Sequence, residues 1–286
     1  MSDLARTAAE LRKHTADWRA QSLKIGLVPT MGALHQGHLS LVERAAAECD
    51  RVIVSIFLNP KQFSASEDLD TYPHDEKRDL AALKPFDVSL VYAPSLATVY
   101  PQDFATQVEV GGLTDYMCGI DRPNFFSGVA TVVTKLLIQC FPDKAYFGEK
   151  DFQQLLVIRR LTQDLDIPSA IIGCPIVRET DGLALSSRNA YLSPEERLVA
   201  PVLSETLREA AKMAGGGEGC REVEAWATEE LKAKGFGKVD YVDIRDAATL
   251  DSLSHVADAK GQARIFAAAT LGTTRLIDNM EINTDS

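Results

Sequence analysis

Five short runs dense in Val, Ile, Leu and Phe set the strongest limit on what this 286-residue chain can fold into. They are Lys24–Val28, Val52–Phe57, Val88–Tyr92, Ala145–Phe147 and Ala170–Cys174. None alternates cleanly between apolar and polar residues, so each reads as a strand buried on both faces, as in a parallel sheet. Between them, Leu39–Glu48, Glu76–Leu83, Val129–Cys140 and Phe152–Leu165 place apolar residues three and four apart, the period of a helix. Strand–helix alternation of this kind predicts a doubly wound α/β domain. Such sheets bind ligands outside the carboxyl ends of their strands, so chemistry should collect in the loops that follow them.

The texture changes near Ile176. A polar segment from Arg178 to Arg197 leads into a predicted long helix from about Pro194 to Met213, and Gly215–Gly219 reads as a loop. A helix near Val223–Lys234 and strands at Lys238–Arg245, Ala263–Ala269 and Thr274–Asn279 follow. Strands that close a chain in succession predict a smaller α+β domain with an antiparallel sheet. The expected division is 1–176 and 177–286.

Charge narrows the function. The chain carries 30 Lys and Arg against 41 Asp and Glu, a formal net of −11. That balance argues against nucleic acid or an anionic membrane as a partner, because both need an accumulated basic face. It is silent about a small anion, which a few local cations can hold. The five cysteines are odd in number and widely spaced, with no C-x-x-C, so neither a disulfide framework nor a zinc site is expected. The N-terminal 20 residues read as an amphipathic helix, not a signal peptide. No stretch reaches the roughly 18 apolar residues of a membrane span. The expectation is a cytoplasmic protein.

Four polar segments fall where strands end or domains meet. Pro29–His38 (PTMGALHQGH) follows a strand and opens a helix, where backbone N–H groups and the helix dipole favour an anion. The same spacing also fits an ordinary turn with two incidental histidines. In Ser55–Phe63, Asn59 and Gln62 suit a small polar substrate between the apolar walls of Phe57 and Phe63, although a plain Asn-Pro turn reads the same way. Phe147–Gln154 places Lys150 as a point charge for phosphate and Asp151 as a helix cap. Asp181–Asn189 offers two serines, an arginine and an asparagine for phosphate, or else a solvated interdomain linker. Together the four point to a nucleotide or phosphate site in an α/β enzyme.

The same segments resemble the pantoate–β-alanine ligase family. PTMGALHQGH resembles that family's version of the HxGH signature of nucleotidyltransferases. SIFLNPKQF, GVATVVTKLL, FGEKDFQQL and DGLALSSRN resemble its other blocks, in the same order. The resemblance implies a Rossmann-like domain with a smaller C-terminal α+β lid, and a homodimer. It implies that ATP, pantoate and β-alanine give pantothenate, AMP and pyrophosphate through a pantoyl-adenylate. It implies that Met31, Gly32, Ala33, Leu34, His35, Gln36, Gly37 and His38 line the nucleotide site, with His38 the proton donor. By the same carry-over Gly148, Glu149, Asp151, Val177 and Leu185 meet ATP. Lys150, Ser186, Ser187 and Arg188 hold charge on its phosphates, and His38, His35, Lys150 and Arg188 form the catalytic set. Gln62 and Gln154 bind pantoate, and Asn59 and Tyr72 belong to the substrate wall. Mg²⁺ bridges phosphate oxygens, with no residue assigned as a metal ligand. Asp79 reads as a solvated helix carboxylate, the alternative being a place beside Mg²⁺.

Two departures stand out. The family usually reads R-P-G-H-F where this chain has Arg122-Pro123-Asn124-Phe125-Phe126, so Phe125 replaces an expected histidine. It usually reads Y-P-R where this chain has Tyr72-Pro73-His74.

Overall fold

The computed structural model describes residues 2–64 and 67–283, so Met1 of the N-terminal stretch lies outside them. The described chain divides into two compact units. The first comprises residues up to Thr114, Cys118–Glu149 and Gln153–Pro175; the second comprises Asp115–Met117, Lys150–Phe152 and everything from Ile176 on.

The first unit is built on a six-stranded parallel sheet. Its elements, in chain order, begin with strand β1 (Asp3–Ala5), helix α1 (Ala8–Ala20), β2 (Ile25–Thr30), α2 (Gln36–Glu48) and β3 (Arg51–Ile56). Next come α3 (Glu76–Leu83), β4 (Leu90–Tyr92) and the single-turn helices α4 (Leu96–Val99) and α5 (Cys118–Asp121). Helix α6 (Phe125–Cys140), β5 (Lys144–Gly148), α7 (Phe152–Asp164) and β6 (Ala170–Cys174) complete it. The strand order is β1-β4-β3-β2-β5-β6. After β2 the chain adds strands on one side, then returns to pair β5 on the other. β2 and β5 therefore flank the switch point, where open α/β sheets bind ligands.

The five expected strands are present, four of them losing water on both faces; β6, at the sheet edge, is fully buried only at Cys174. β2, β3 and β4 are buried almost throughout. One correction concerns the N-terminus: Asp3–Ala5 is a strand paired to β4, and the helix begins only at Ala8, behind the cap of Thr7. Three residues with only Ala5 buried leave no periodic trace. Helix α6 is apolar nearly all round, as a helix inside a core must be.

The second unit carries α8 (Pro194–Val199), α9 (Val202–Gly215), α10 (Cys220–Ala233) and an antiparallel sheet of β7 (Lys238–Asp246), β8 (Ala263–Leu271) and β9 (Thr274–Ile282). The single long helix expected from Pro194 is two helices, broken at Ala200 and Pro201, where the proline has no N–H to donate to the preceding turn. The core lies between α9, α10 and the sheet, around Leu203, Leu207, Val223, Leu231, Ile244 and Ile265.

The Asp181–Asn189 segment is not a loose linker. Arg178 and Ala184 form an antiparallel bridge, and Leu185 N–H donates to the Val177 carbonyl at 3.0 Å. Arg178 makes a two-pronged ion pair with the buried Asp278, at 2.7 and 2.9 Å. Arg197 reaches both Asp181 and Glu179. The segment is a short hairpin pinned to its own unit.

Candidate active site

The 30–38 loop leaves the end of β2 and must turn sharply before α2. Gly32 and Ala33 take φ of +86° and +50°, the left-handed region that glycine tolerates and alanine enters only with strain. The Thr30 hydroxyl donates to the Ser55 carbonyl at 2.7 Å and accepts the Gly32 N–H at 3.2 Å. The next two amides turn to Asp79: Ala33 N–H donates to Oδ2 at 3.0 Å and Leu34 N–H to Oδ1 at 2.8 Å. Asp79 is 2% exposed. The expectation of a solvated helix carboxylate is therefore corrected: α3 buries this carboxylate against the loop.

The two histidines cap α2 reciprocally. Gly37 N–H donates to His35 Nδ1 at 3.1 Å, and His35 N–H donates to His38 Nδ1 at 3.4 Å. The rings lie 4.1 Å apart between centroids. A ring nitrogen that accepts an amide carries no proton, so each neutral imidazole bears its hydrogen on Nε2. The loop's own amides at 32, 33, 34, 35 and 37 are thus engaged within the chain, and the two Nε2–H groups are donors of fixed tautomer.

The Asn59–Gln62 turn is joined to this loop. Asn59 is 1% exposed, and its Nδ2 donates to Gln62 Oε1 at 3.0 Å and to the Gly128 carbonyl at 3.1 Å. Its Oδ1 accepts the Tyr100 hydroxyl at 3.0 Å and the Lys61 N–H at 3.3 Å. With its polar atoms occupied, Asn59 supports Gln62. Gln62 in turn donates from Nε2 to Met31 Sδ at 3.0 Å, a weak acceptor. The approach depends on Gly128, because a Cβ there would sit 2.2 Å from the Lys61 carbonyl oxygen. Tyr72 is buried beside Phe63, edge to face at 5.8 Å. Tyr100, which sequence reasoning missed, has its hydroxyl pushed up to about 12 by burial. Nothing in its spacing marks it; only the fold brings it to Asn59.

At the family's histidine position, the Phe125 ring carries the Arg122 guanidinium 3.7 Å from its centroid. Arg122 also pairs with Glu67 and donates to the Gln62 carbonyl at 3.2 Å. The polar contact expected of a histidine is replaced by a stack that still reaches the Gln62 turn. His74, at the other departure, keeps a local contact from Nδ1 to the Tyr72 carbonyl at 3.2 Å.

Gly148 ends β5, Glu149 begins the following turn, and Gln154 is half-buried in the first turn of α7. Its neighbour Gln153 is structural, accepting from Cys118 N–H and donating to the Leu113 carbonyl. Lys150 and Asp151 belong to the second unit, where the Lys150 carbonyl accepts Asn279 Nδ2 at 3.0 Å. Val177, Leu185, Ser186, Ser187 and Arg188 lie in the hairpin and the short helical turn behind it, capped when Ser186 Oγ accepts the Arg188 N–H. Among the described residues no group of three or more His, Cys, Asp or Glu side chains is arranged to hold a metal ion. No described helix is long and apolar enough to cross a membrane.

A profile of the pantoate–β-alanine ligase family matches residues 3–281. The chain belongs to this family. It is 53% identical to the pantothenate synthetase of Rhodospirillum rubrum over 279 residues, 98% of each chain. The crystal structure of pantothenate synthetase from Thermus thermophilus superposes with a TM-score of 0.89 at 45% identity, covering 98% of this chain and 99% of that one. The pantoate–β-alanine ligase of Francisella tularensis, solved in complex with β-γ ATP and β-alanine, gives a TM-score of 0.83 at 35% identity over 98% of each chain. The sequence blocks that carry the resemblance run from about Lys24 to Leu192, and the family match extends beyond them on both sides, over residues 3–281.

Proposed function

We propose that the chain condenses pantoate with β-alanine at the expense of ATP, through a pantoyl-adenylate. The observation that carries this reading is the bond from Gln62 Nε2 to Met31 Sδ, which sets a carboxamide suited to pantoate beside the loop that bears His35 and His38. The pantoate carboxylate attacks the α-phosphorus and pyrophosphate leaves. The β-alanine amine, once deprotonated, attacks the acyl carbon and AMP leaves. Such transfers need alignment and charge stabilisation more than covalent help from the protein.

His35 and His38 donate from Nε2–H to phosphate oxygens, and a neutral donor of fixed tautomer needs no reorganisation as charge develops. Lys150, Ser186, Ser187 and Arg188 supply further donors and positive charge. Met31–His38, Gly148, Glu149, Asp151, Val177 and Leu185 complete the nucleotide contacts. Gln62 and Gln154 bind pantoate, with Asn59 and Tyr72 behind them. Mg²⁺ enters with ATP as part of the substrate, in keeping with its habit of binding through phosphates and few side chains. A homodimer is part of the same reading, and light scattering at twice the chain mass tests it.

The deciding experiment is product analysis with each substrate omitted in turn. AMP should form only with ATP and pantoate present, and full turnover should need β-alanine. ADP as the product, or AMP independent of pantoate, overturns the reading. His38→Ala and Lys150→Ala should each lower adenylation about 10²-fold or more, the scale of losing one transition-state donor.

A further inference from the structure

We propose that Asp79 is the positioning residue of the 30–38 loop: its buried carboxylate fixes the backbone that aims His35 and His38. Each of its oxygens accepts one backbone amide, from Leu34 at 2.8 Å and from Ala33 at 3.0 Å, across 45 and 46 residues of sequence. A helix surface does not need a carboxylate that is only 2% exposed, and burying one without its hydrogen bonds is costly. Both partners are amides of one loop, so the group that the carboxylate serves is that loop.

The loop needs such a hold. Residues 32 and 33 are consecutive left-handed positions, and Ala33 at φ +50° is strained. Strained backbone persists where its surroundings over-determine it. Asp79 provides that constraint from α3, whose own first turn is fixed by Asp75 accepting the Arg78 N–H. Leu34, held by its amide to Asp79, also buries its side chain in the same apolar core as Leu83 of α3. The next residue is His35. Its amide and its Nδ1 form the reciprocal cap, so an error at residue 34 passes directly into both ring orientations. Asp79 thus fixes the entry to the loop, and the histidine pair fixes its exit.

The kinetic part of this inference rests on the ligase reading; the spectroscopic part does not. Asp79→Asn keeps the shape but turns an NH₂ group toward one of the two amides. Long-range ¹H–¹⁵N spectra resolve the tautomers of the chain's five histidines. In the parent protein His35 and His38 should show a bare Nδ1 and a protonated Nε2. In D79N both patterns should move toward a tautomer mixture, while His14 and His255 stay unchanged. The kcat for AMP formation should fall about 10–100-fold with the KM for β-alanine within twofold. Asp75→Ala, which weakens the same helix without touching the loop, should lower the melting temperature and leave both readouts intact. If D79N melts below the assay temperature, the double variant D79N/A33G carries the test. Glycine at 33 removes the strain but not the lost acceptor, so stability should recover while kcat stays low. Unchanged His35 and His38 resonances in D79N overturn the proposal, as does a kcat within threefold of the parent in either variant. A parent protein that forms no AMP from ATP and pantoate refutes the ligase reading instead, and the resonances then decide the role of Asp79.

Discussion

Substituting Gly128 by alanine tests whether the Gln62 turn is held by backbone contact with α6. The added Cβ would lie 2.2 Å from the Lys61 carbonyl oxygen, 2.5 Å from its carbon and 2.8 Å from the Gln62 nitrogen. Ordinary contact begins near 3.4 Å, so the turn must retreat by about 1.2 Å. All three atoms are backbone, so no side chain can swing away. The retreat breaks the 3.1 Å bond from Asn59 Nδ2 to the Gly128 carbonyl and loosens the amide network behind Gln62. Overpacking of this sort costs about 1–3 kcal/mol, and depriving the buried Asn59 amide of an acceptor about 1–3 more. A net loss of about 2–6 kcal/mol follows. The catalytic effect is larger, because a shift of about 1 Å in a positioning group costs on the order of 10²-fold. The assay pairs denaturant unfolding with AMP formation at varied pantoate and ATP. Pantoate kinetics should suffer more than ATP kinetics, since Gln62 is the carboxamide displaced. Gly111→Ala, where an added Cβ meets nothing within 4 Å, is the control. A G128A protein with parental stability and pantoate kinetics within threefold would refute the argument.

Other perturbations probe separate supports. Phe125→Leu removes the ring under Arg122 while keeping apolar bulk, and should cost about 1 kcal/mol in thermal unfolding. Asp278→Asn breaks the buried pair with Arg178 and should cost about 3 kcal/mol, with faster hydrogen exchange at Leu185 as the hairpin loosens. Glu48 is held down to about 2, first by the Lys144 ammonium and then by the Arg44 guanidinium. A depressed carboxylate stabilises above its unfolded value near 4.5 and loses that effect as pH falls toward 2, so Glu48→Gln should differ from the parent at pH 6 and converge with it at pH 2. Burial raises the thiol of Cys140 and lifts Cys220 to about 11, so iodoacetamide at pH 8 should label neither until the protein unfolds.

The sheet was legible in the sequence because strands buried on both faces must be apolar throughout, and few other elements combine that demand with such short length. What escaped was whatever left no run. Asp3–Ala5 is a three-residue edge strand with one buried side chain, and its pairing to β4 spans more than 80 residues. The break at Pro201 did leave a signal, since proline removes a donor, but the apolar spacing on either side continues across it. The candidate site residues were legible as types: histidines, an amide pair, a lysine after a strand. Their supports were not. Asn59 and Gln62 look equivalent in sequence, and only the Gly128 carbonyl, 69 residues from Asn59, turns one of them into the holder of the other. Asp79 looked solvated because a carboxylate in a helical first turn normally is, and the amides it accepts lie in a segment that no periodicity connects to it.

That asymmetry bears on how the departure at residues 122–126 should be weighed. The family's glycine gives way to Asn124, which sits at φ +68°, and asparagine is among the few side chains that enter the left-handed region readily. The family's histidine gives way to Phe125, which keeps a flat ring for Arg122 to stack on. The first replacement preserves the backbone path, and the second keeps a ring plane while discarding a polar atom. What the corner retains is Arg122, stacked on that ring and donating to the Gln62 carbonyl. This corner of the fold therefore supports the Gln62 turn, as Asn59 does through the Gln62 carboxamide.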